Sequence, residues 1–163
     1  MKRPPDRSRP QVPVYDKALG LLARREHSAR ELKTKLAVRG HAKDEASAAI
    51  DRLKEQEYQS DARFAASLAR RRAAQGYGPR RIQAELKSHG LGDAAVRAIV
   101  AEVDIDWSSL ALSQLRRRFG AGAPAGTAER GKRAEFLLRR GFDAATVRAI
   151  TRADIGDPGQ DFD

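Results

Sequence analysis

The chain has 163 residues and a mass of 17.9 kDa, enough for one ordinary domain or a short row of smaller units. It contains no cysteine, which excludes a disulfide scaffold, thiolate-ligated zinc, an iron–sulfur centre and a cysteine nucleophile together. Lysine and arginine number 32 against 22 acids, giving a net charge of +10 and a balance that points to polyanionic partners.

Residues 1–13 read as a basic, proline-rich tail carrying +3. No apolar run follows it, so a secretory signal is not expected, and Pro4, Pro5, Pro10 and Pro13 argue against an amphipathic presequence. No stretch approaches the roughly 18 apolar residues of a membrane span, so the expected location is the cytoplasm. Residues 14–60 begin with an apolar stripe of Leu19, Leu22 and Ala23. Ser28-Ala29-Arg30-Glu31 then has the form of a capping box, opening a helix with Leu32 and Leu36 on one face. A third helix carries Ala46, Ala49, Ile50 and Leu53. In residues 61–106, Asp61 is placed to cap a helix with Phe64 and Leu68. Gly76-Tyr77-Gly78 breaks that helix, and Pro79 suits the first position of the next, striped by Ile82 and Leu86. Asp93 is placed to cap a helix with Val96, Ile99, Val100 and Val103. Residues 107–155 repeat the plan: Leu112, Leu115 and Phe119 lead into the loop GAGAPAG at 120–126. Thr127 is then expected to cap a helix with Ala134, Leu137 and Leu138, and Asp143 one with Val147 and Ile150. Residues 156–163 are an acidic tail.

A spacing ties these segments together. Leu36 and Gly40, Leu86 and Gly90, and Leu137 and Gly141 are the same leucine–glycine pair, with the glycines 50 and 51 residues apart. The interval fits stacked repeats, and each glycine suits the left-handed residue just past a helix end. In such a cap Leu91 would pack on Leu86 and Phe142 on Leu137, while His41 after Gly40 predicts a looser first cap. Alanine, the strongest helix former, is the commonest residue, and no alternating β pattern competes. The expected fold is all-α: three tandem three-helix repeats, helix-turn-helix-like, with neighbouring units sharing a core.

Catalysis has little support. His27, His41 and His89 fall at helix boundaries without metal-ligand spacing, neither glycine-rich loop ends in the Lys-Ser/Thr of a phosphate-binding loop, and most acids alternate with bases along helix faces. No catalytic, metal or cofactor residue is expected. The basic clusters say more. Arg24-Arg25, Arg70-Arg71-Arg72 and Arg116-Arg117-Arg118 recur at the ends of the three first helices, where the helix dipole favours cations. Triplets, joined by Arg80-Arg81, Lys132-Arg133 and Arg139-Arg140 on the second helices, exceed that need and mark a contact surface for nucleic acid or an acidic protein surface. Residues 107–155 hold ten bases against four acids, +6, where residues 14–60 and 61–106 hold +2 each. Tyr15, Tyr58, Tyr77 and Trp107 fit hydrophobic anchors better than base-stacking platforms.

The strings LLARREHSARELKTKL, SDARFAASLARRRAAQGYGPRRIQAEL and KRAEFLLRRGFDAATVRAI resemble the RecX regulatory proteins, over about residues 14 to 152. The REHS element falls on Arg25, Glu26, His27 and Ser28, the GYGP turn on Gly76, Tyr77, Gly78 and Pro79, and the RRGF element on Arg139, Arg140, Gly141 and Phe142. The resemblance implies three three-helix repeats in an elongated, curved arrangement. It also implies a monomeric, non-enzymatic modulator of recombination, DNA repair and the SOS response, with the RecA recombinase filament on single-stranded DNA as partner. Such a protein lies in the filament groove and suppresses ATP hydrolysis, strand exchange and coprotease activity; duplex DNA is a further candidate partner, a membrane is not. The alternative is a general DNA-binding protein or transcription regulator. Such proteins commonly read bases through Arg, Asn or Gln on one recognition helix, but this chain has no asparagine and spreads its arginines over three units. A helical scaffold without DNA affinity is the third reading. The GAGAPAG loop and the acidic end match no pattern of the family.

Overall fold

A computed structural model describes residues 12–152; the proline-rich tail before Val12 and the acidic tail lie outside the described residues. Within them the chain is nine helices and no strand: α1 (Val14–Leu22), α2 (Ala29–Val38), α3 (Lys43–Glu55), α4 (Asp61–Ala74), α5 (Pro79–Ser88), α6 (Asp93–Glu102), α7 (Trp107–Phe119), α8 (Thr127–Arg139) and α9 (Ala144–Thr151). They fall into two compact units that divide between Phe64 and Ala65, inside α4.

In the first unit, α1 and α2 both pack on α3. Ala18, Leu32, Leu36, Ala46, Ile50 and Leu53 close the core, with Tyr15, Leu19, Leu21 and Leu22 at its margin. Ala23 lies exposed beyond the end of α1, and Ala18 takes its place in the buried stripe. In the second unit, α5 packs on α6, and α7, α8 and α9 pack on one another. Ala111, Leu115, Ala134, Leu137, Phe142 and Val147 form the core of the last three helices. Leu112 and Leu138, expected inside, are 40% and 37% exposed, because Ala111 and Gln114 turn inward on α7, and Arg133, Ala134 and Leu137 on α8, instead. The stripes Ile82–Leu86 and Val96–Ile99–Val100–Val103 are buried as their spacing requires.

The helix ends follow the glycine pattern. Gly40, Gly90 and Gly141 have φ of +84°, +86° and +91°. At Gly141 the N–H of Phe142 bonds the Leu137 carbonyl (3.2 Å) and that of Gly141 the Leu138 carbonyl (3.0 Å), the double closure of a left-handed cap. The first cap is no looser: His41 bonds Leu36 (3.2 Å) and Gly40 bonds Ala37 (2.9 Å) in the same way. These bonds are made by main-chain groups and do not require an apolar residue after the glycine. A fourth cap escapes a glycine search, since Glu57 takes φ +61° while Tyr58 bonds the Leu53 carbonyl (2.9 Å).

Ser28 caps α2, accepting from Glu31 N at 3.0 Å, and Asp143 caps α9 through Thr146 N. Three expected caps are corrected. The residue before α8 is Gly126, so Thr127 is already helical, and the Glu129 carboxylate accepts from Ala125 N instead. Gly92 precedes α6, and Asp93 pairs with Lys87 at 2.8 Å. Ser60 accepts from Arg63 N at the start of α4, while Asp61 reaches back to Ala29 N at 2.9 Å.

Candidate nucleic-acid interface

The fourteen basic residues divide by what they touch. Four meet carboxylates of their own unit. Arg25 binds Glu31, which also receives Lys35. Arg72 forms a two-pronged pair with Glu85 on α5, at 2.8 and 2.7 Å. Arg133 is 8% exposed and donates to Glu129 (2.7 Å) and to the Gly122 carbonyl (3.0 Å). Arg139 pairs with Glu135 one turn before it. Arg133 is paired within the fold and Arg72 at its margin, whereas Arg25 and Arg139 pair at the surface, where such a pair is weak. With Ala125 held by Glu129, the Arg133–Gly122 bond also ties the GAGAPAG loop to α8.

No carboxylate pairs with Arg24, Arg70, Arg71, Arg80, Arg81, Arg116, Arg117, Arg118, Lys132 or Arg140 among the described residues. All except Arg140, which is half-buried, are exposed. Arg24 borders a small groove with Asp16, Lys17 and Arg39. The rest stand on the second unit, where some are brought together by a joint between two turns.

That joint is built of backbone. Gly78 N donates to the Arg140 carbonyl (2.8 Å) and Arg80 N to the Gly141 carbonyl (2.9 Å), so the α8–α9 turn supplies an acceptor to the open N-terminus of α5. The approach leaves no room for side chains. A Cβ on Gly78 would fall 2.4 Å from Gly141 C and Phe142 N, and one on Gly141 would fall 2.5 Å from Arg81 Cβ. The GYGP and RRGF elements are thus two halves of one contact.

Around it, cations and rings alternate. The guanidiniums of Arg81 and Arg140 lie 4.2 and 5.3 Å from the Tyr77 ring. Arg140 also lies 5.4 Å from Phe136, which meets Phe119 edge-on at 5.6 Å, and Arg118 reaches Phe119 at 5.8 Å. Contacts of this range are attractive and hold the guanidinium planes in place. Tyr77 is therefore the centre of an arginine stack, a role its sequence position did not suggest. Gln114, Phe136 and the neutralising acids Glu85 and Glu129 were likewise missed. Gln114 alone left a trace, as a polar residue on the inward stripe of α7.

The REHS element has a structural environment of its own. His27 is 2% exposed; its Nδ1 donates to the Arg25 carbonyl (2.9 Å), leaving Nε2 to accept from Lys35 Nζ (3.2 Å). Burial is the main cause that holds its pKa below the usual histidine value. Burial alone would raise the Glu31 carboxyl, but hydrogen bonds from Arg25 and Lys35 bring it down to about 2. The Arg72 hydrogen bond lowers Glu85 in the same sense. Among the described residues no group of His, Asp and Glu is placed to hold a metal, and no helix is long and apolar enough to cross a membrane.

Comparison with known proteins agrees with this anatomy. Family models for the first, second and third three-helix domains of RecX match residues 15–53, 60–99 and 104–151. The regulatory protein RecX of Xanthomonas campestris pv. campestris (strain B100) is 50% identical over 151 residues, 93% of each chain. That of Stenotrophomonas maltophilia (strain R551-3) is 48% identical over 151 residues, 93% of this chain and 92% of the relative. Among solved structures, RecX from Lactobacillus salivarius superposes with a TM-score of 0.72 at 21% identity, over 85% of this chain and 92% of that one. A second crystal structure of regulatory protein RecX gives 0.70 at 20% identity, over 85% and 70%; at such identities the likeness is one of fold. With three tandem domain matches and half its residues shared with relatives of nearly equal length, this chain belongs to the RecX family of regulatory proteins.

Proposed function

We propose that this chain is a non-enzymatic regulator of homologous recombination and DNA repair that acts in the cytoplasm. It binds the RecA filament on single-stranded DNA and inhibits its ATPase, strand-exchange and coprotease activities. One observation carries the reading beyond family membership: guanidiniums with no carboxylate partner among the described residues gather on the second unit. Such a surface suits the capture of a polyanion. Tandem repeats suit a periodic partner, because each presents its own basic edge and weak contacts along a polymer reinforce one another.

The test is recombinase ATPase on single-stranded DNA with increasing amounts of the chain, beside capture on filaments, bare single strands and duplex in one salt series. Inhibition with preference for the filament supports the reading. Binding to duplex with no effect on the recombinase would favour the general DNA-binding alternative. Replacing Arg116, Arg117 and Arg118 by Ala should weaken inhibition more than replacing Arg24 and Arg25, since the former have no acid partner and Arg25 is held by Glu31. Equal inhibition by the triple variant and the parent rules out this cluster as the main docking element.

A further inference from the structure

We propose that the groove between the end of α4 and helices α7 and α8 is a nucleotide subsite for single-stranded nucleic acid: Arg117 and Arg118 meet the phosphodiester, and the Gln114 amide meets the polar edge of the base. The groove is lined by Gln75, Gln114, Arg117, Arg118, Phe136 and Arg140. The inference rests on the nucleic-acid half of the function proposed above, and assigns it a place and a polar anchor.

Gln114 is the observation that points to a ligand. The residue is only 6% exposed, and its amide lies flat over Gly76, where an added Cβ would fall 2.3 Å from Oε1, 2.4 Å from Cδ and 2.6 Å from Nε2. No hydrogen-bond partner meets that amide among the described residues. A primary amide brings two donors and an acceptor, and although the residue as a whole is buried, these polar atoms stay accessible in the groove, open to a ligand. The walls supply what a nucleotide requires besides. Arg117 and Arg118 are exposed and have no carboxylate partner, and Arg140 is fixed by its bond to the Gln75 carbonyl (3.2 Å) and by the Phe136 and Tyr77 rings. Guanidiniums would also take the carboxylates of an acidic peptide. The alternation of planar cations and rings favours the nucleotide, because bases stack on such planes and a carboxylate side chain makes no use of them.

The experiment uses the full chain, a fluorescently labelled oligothymidylate and anisotropy across a salt series. Gln114→Ala should weaken binding by about three- to tenfold, as loss of one or two hydrogen bonds would, with the salt slope unchanged. Arg117→Ala with Arg118→Ala should flatten the log–log slope by about 0.7 for each phosphate no longer neutralised. Gln114→Met removes the donors without adding a charge while keeping the length of the side chain, and decides the matter should the alanine variant lose helicity. Oligothymidylate affinity unchanged in a folded Gln114 variant overturns the proposal, as does displacement of the oligonucleotide by polyglutamate at equal or lower charge concentration. Recombinase ATPase measured in parallel separates the two readings. Inhibition by the parent together with Gln114-independent oligonucleotide binding sinks the subsite alone, whereas Gln114-dependent binding without inhibition sinks the filament function alone.

Discussion

Two turns in this molecule answer the same need by different means. At REHS, the first backbone N–H of α2, on Ala29, is met by the Asp61 carboxylate at 2.9 Å, which is itself held by Gln59. Gln59 also donates to the His27 carbonyl (3.2 Å), and Arg63 meets Glu26 (2.9 Å). At GYGP, the corresponding N–H groups of Gly78 and Arg80 are met by the carbonyls of Arg140 and Gly141. Both satisfy orphan donors at a helix start. The first does so with side chains and a full negative charge, which the helix dipole favours. The second uses carbonyls and two glycines. A side-chain joint can be weakened in steps, one partner at a time; a backbone joint tolerates almost no substitution at its glycines.

The largest effect should come from adding a methyl group to the backbone joint. Gly141→Ala should destabilise by about 3 kcal/mol or more, through a left-handed φ together with overpacking against Arg81. Gly40→Ala is the control: its φ is equally positive, but nothing lies within 4 Å of the added Cβ, so about 1 kcal/mol is expected. Equal losses in urea unfolding of the two variants would show that the close approach at Gly141 contributes nothing. At the side-chain joint, Asp61→Ala should cost about 1–2 kcal/mol, the usual range for removing an N-terminal acceptor. A melting temperature matching the parent would remove Asp61 from the account.

A smaller effect reads pH at the two groups beside the REHS turn, His27 and Glu31. His27 has a folded pKa below its unfolded value of about 6.5, so its contribution is present above that value and is lost as pH falls toward the folded one. Glu31, lowered to about 2, contributes above its unfolded value near 4.5 and loses that contribution as pH falls from there toward 2. Thermal stability should therefore decline in two stages, the first setting in as pH falls below about 6.5 through His27 and the second below pH 4.5 through Glu31. In His27→Gln the upper stage should flatten whatever the variant's absolute stability, and a slope identical to the parent's would exclude His27 as its source. The smallest effect has the opposite sign. Glu57→Gly relieves a left-handed residue with a Cβ and should stabilise by about 0.5–1 kcal/mol; a loss in chemical denaturation would mean that Glu57 is held by more than its backbone.

Local signals were legible where one residue's chemistry decides the outcome. Ser28, Asp143 and Pro79 stand where their side chains place them, and Leu36, Ile50, Leu86 and Leu137 are wholly buried, because apolar residues at i, i+3 and i+4 leave a helix one face to bury. Cap assignments failed where two candidates adjoin. Gly126 and Thr127, Gly92 and Asp93, and Ser60 and Asp61 each offer two plausible boundaries, and the choice rests on which residue the neighbouring segment draws away. Ala29 draws Asp61, and Lys87 draws Asp93. In the candidate interface, the clustering of arginine was plain, but Gln114 and Phe136 read as ordinary helix residues.

What the amino-acid order determined by itself is the periodic part: the helical stripes, a unit recurring about every 50 residues, left-handed glycines at three helix ends and an excess of positive charge. Each of these depends on residues within one or two turns of one another, so composition and spacing suffice. Which arginines remain free for a partner was decided only by the tertiary structure. Arg72 and Arg71 are adjacent and chemically identical, yet only Arg72 meets Glu85, thirteen residues on. Gly78 and Gly141 look like two separate turn glycines until the fold presses their backbones together. Coulombic attraction and steric exclusion act through space, at ranges of a few ångströms that the order of residues along the chain does not encode.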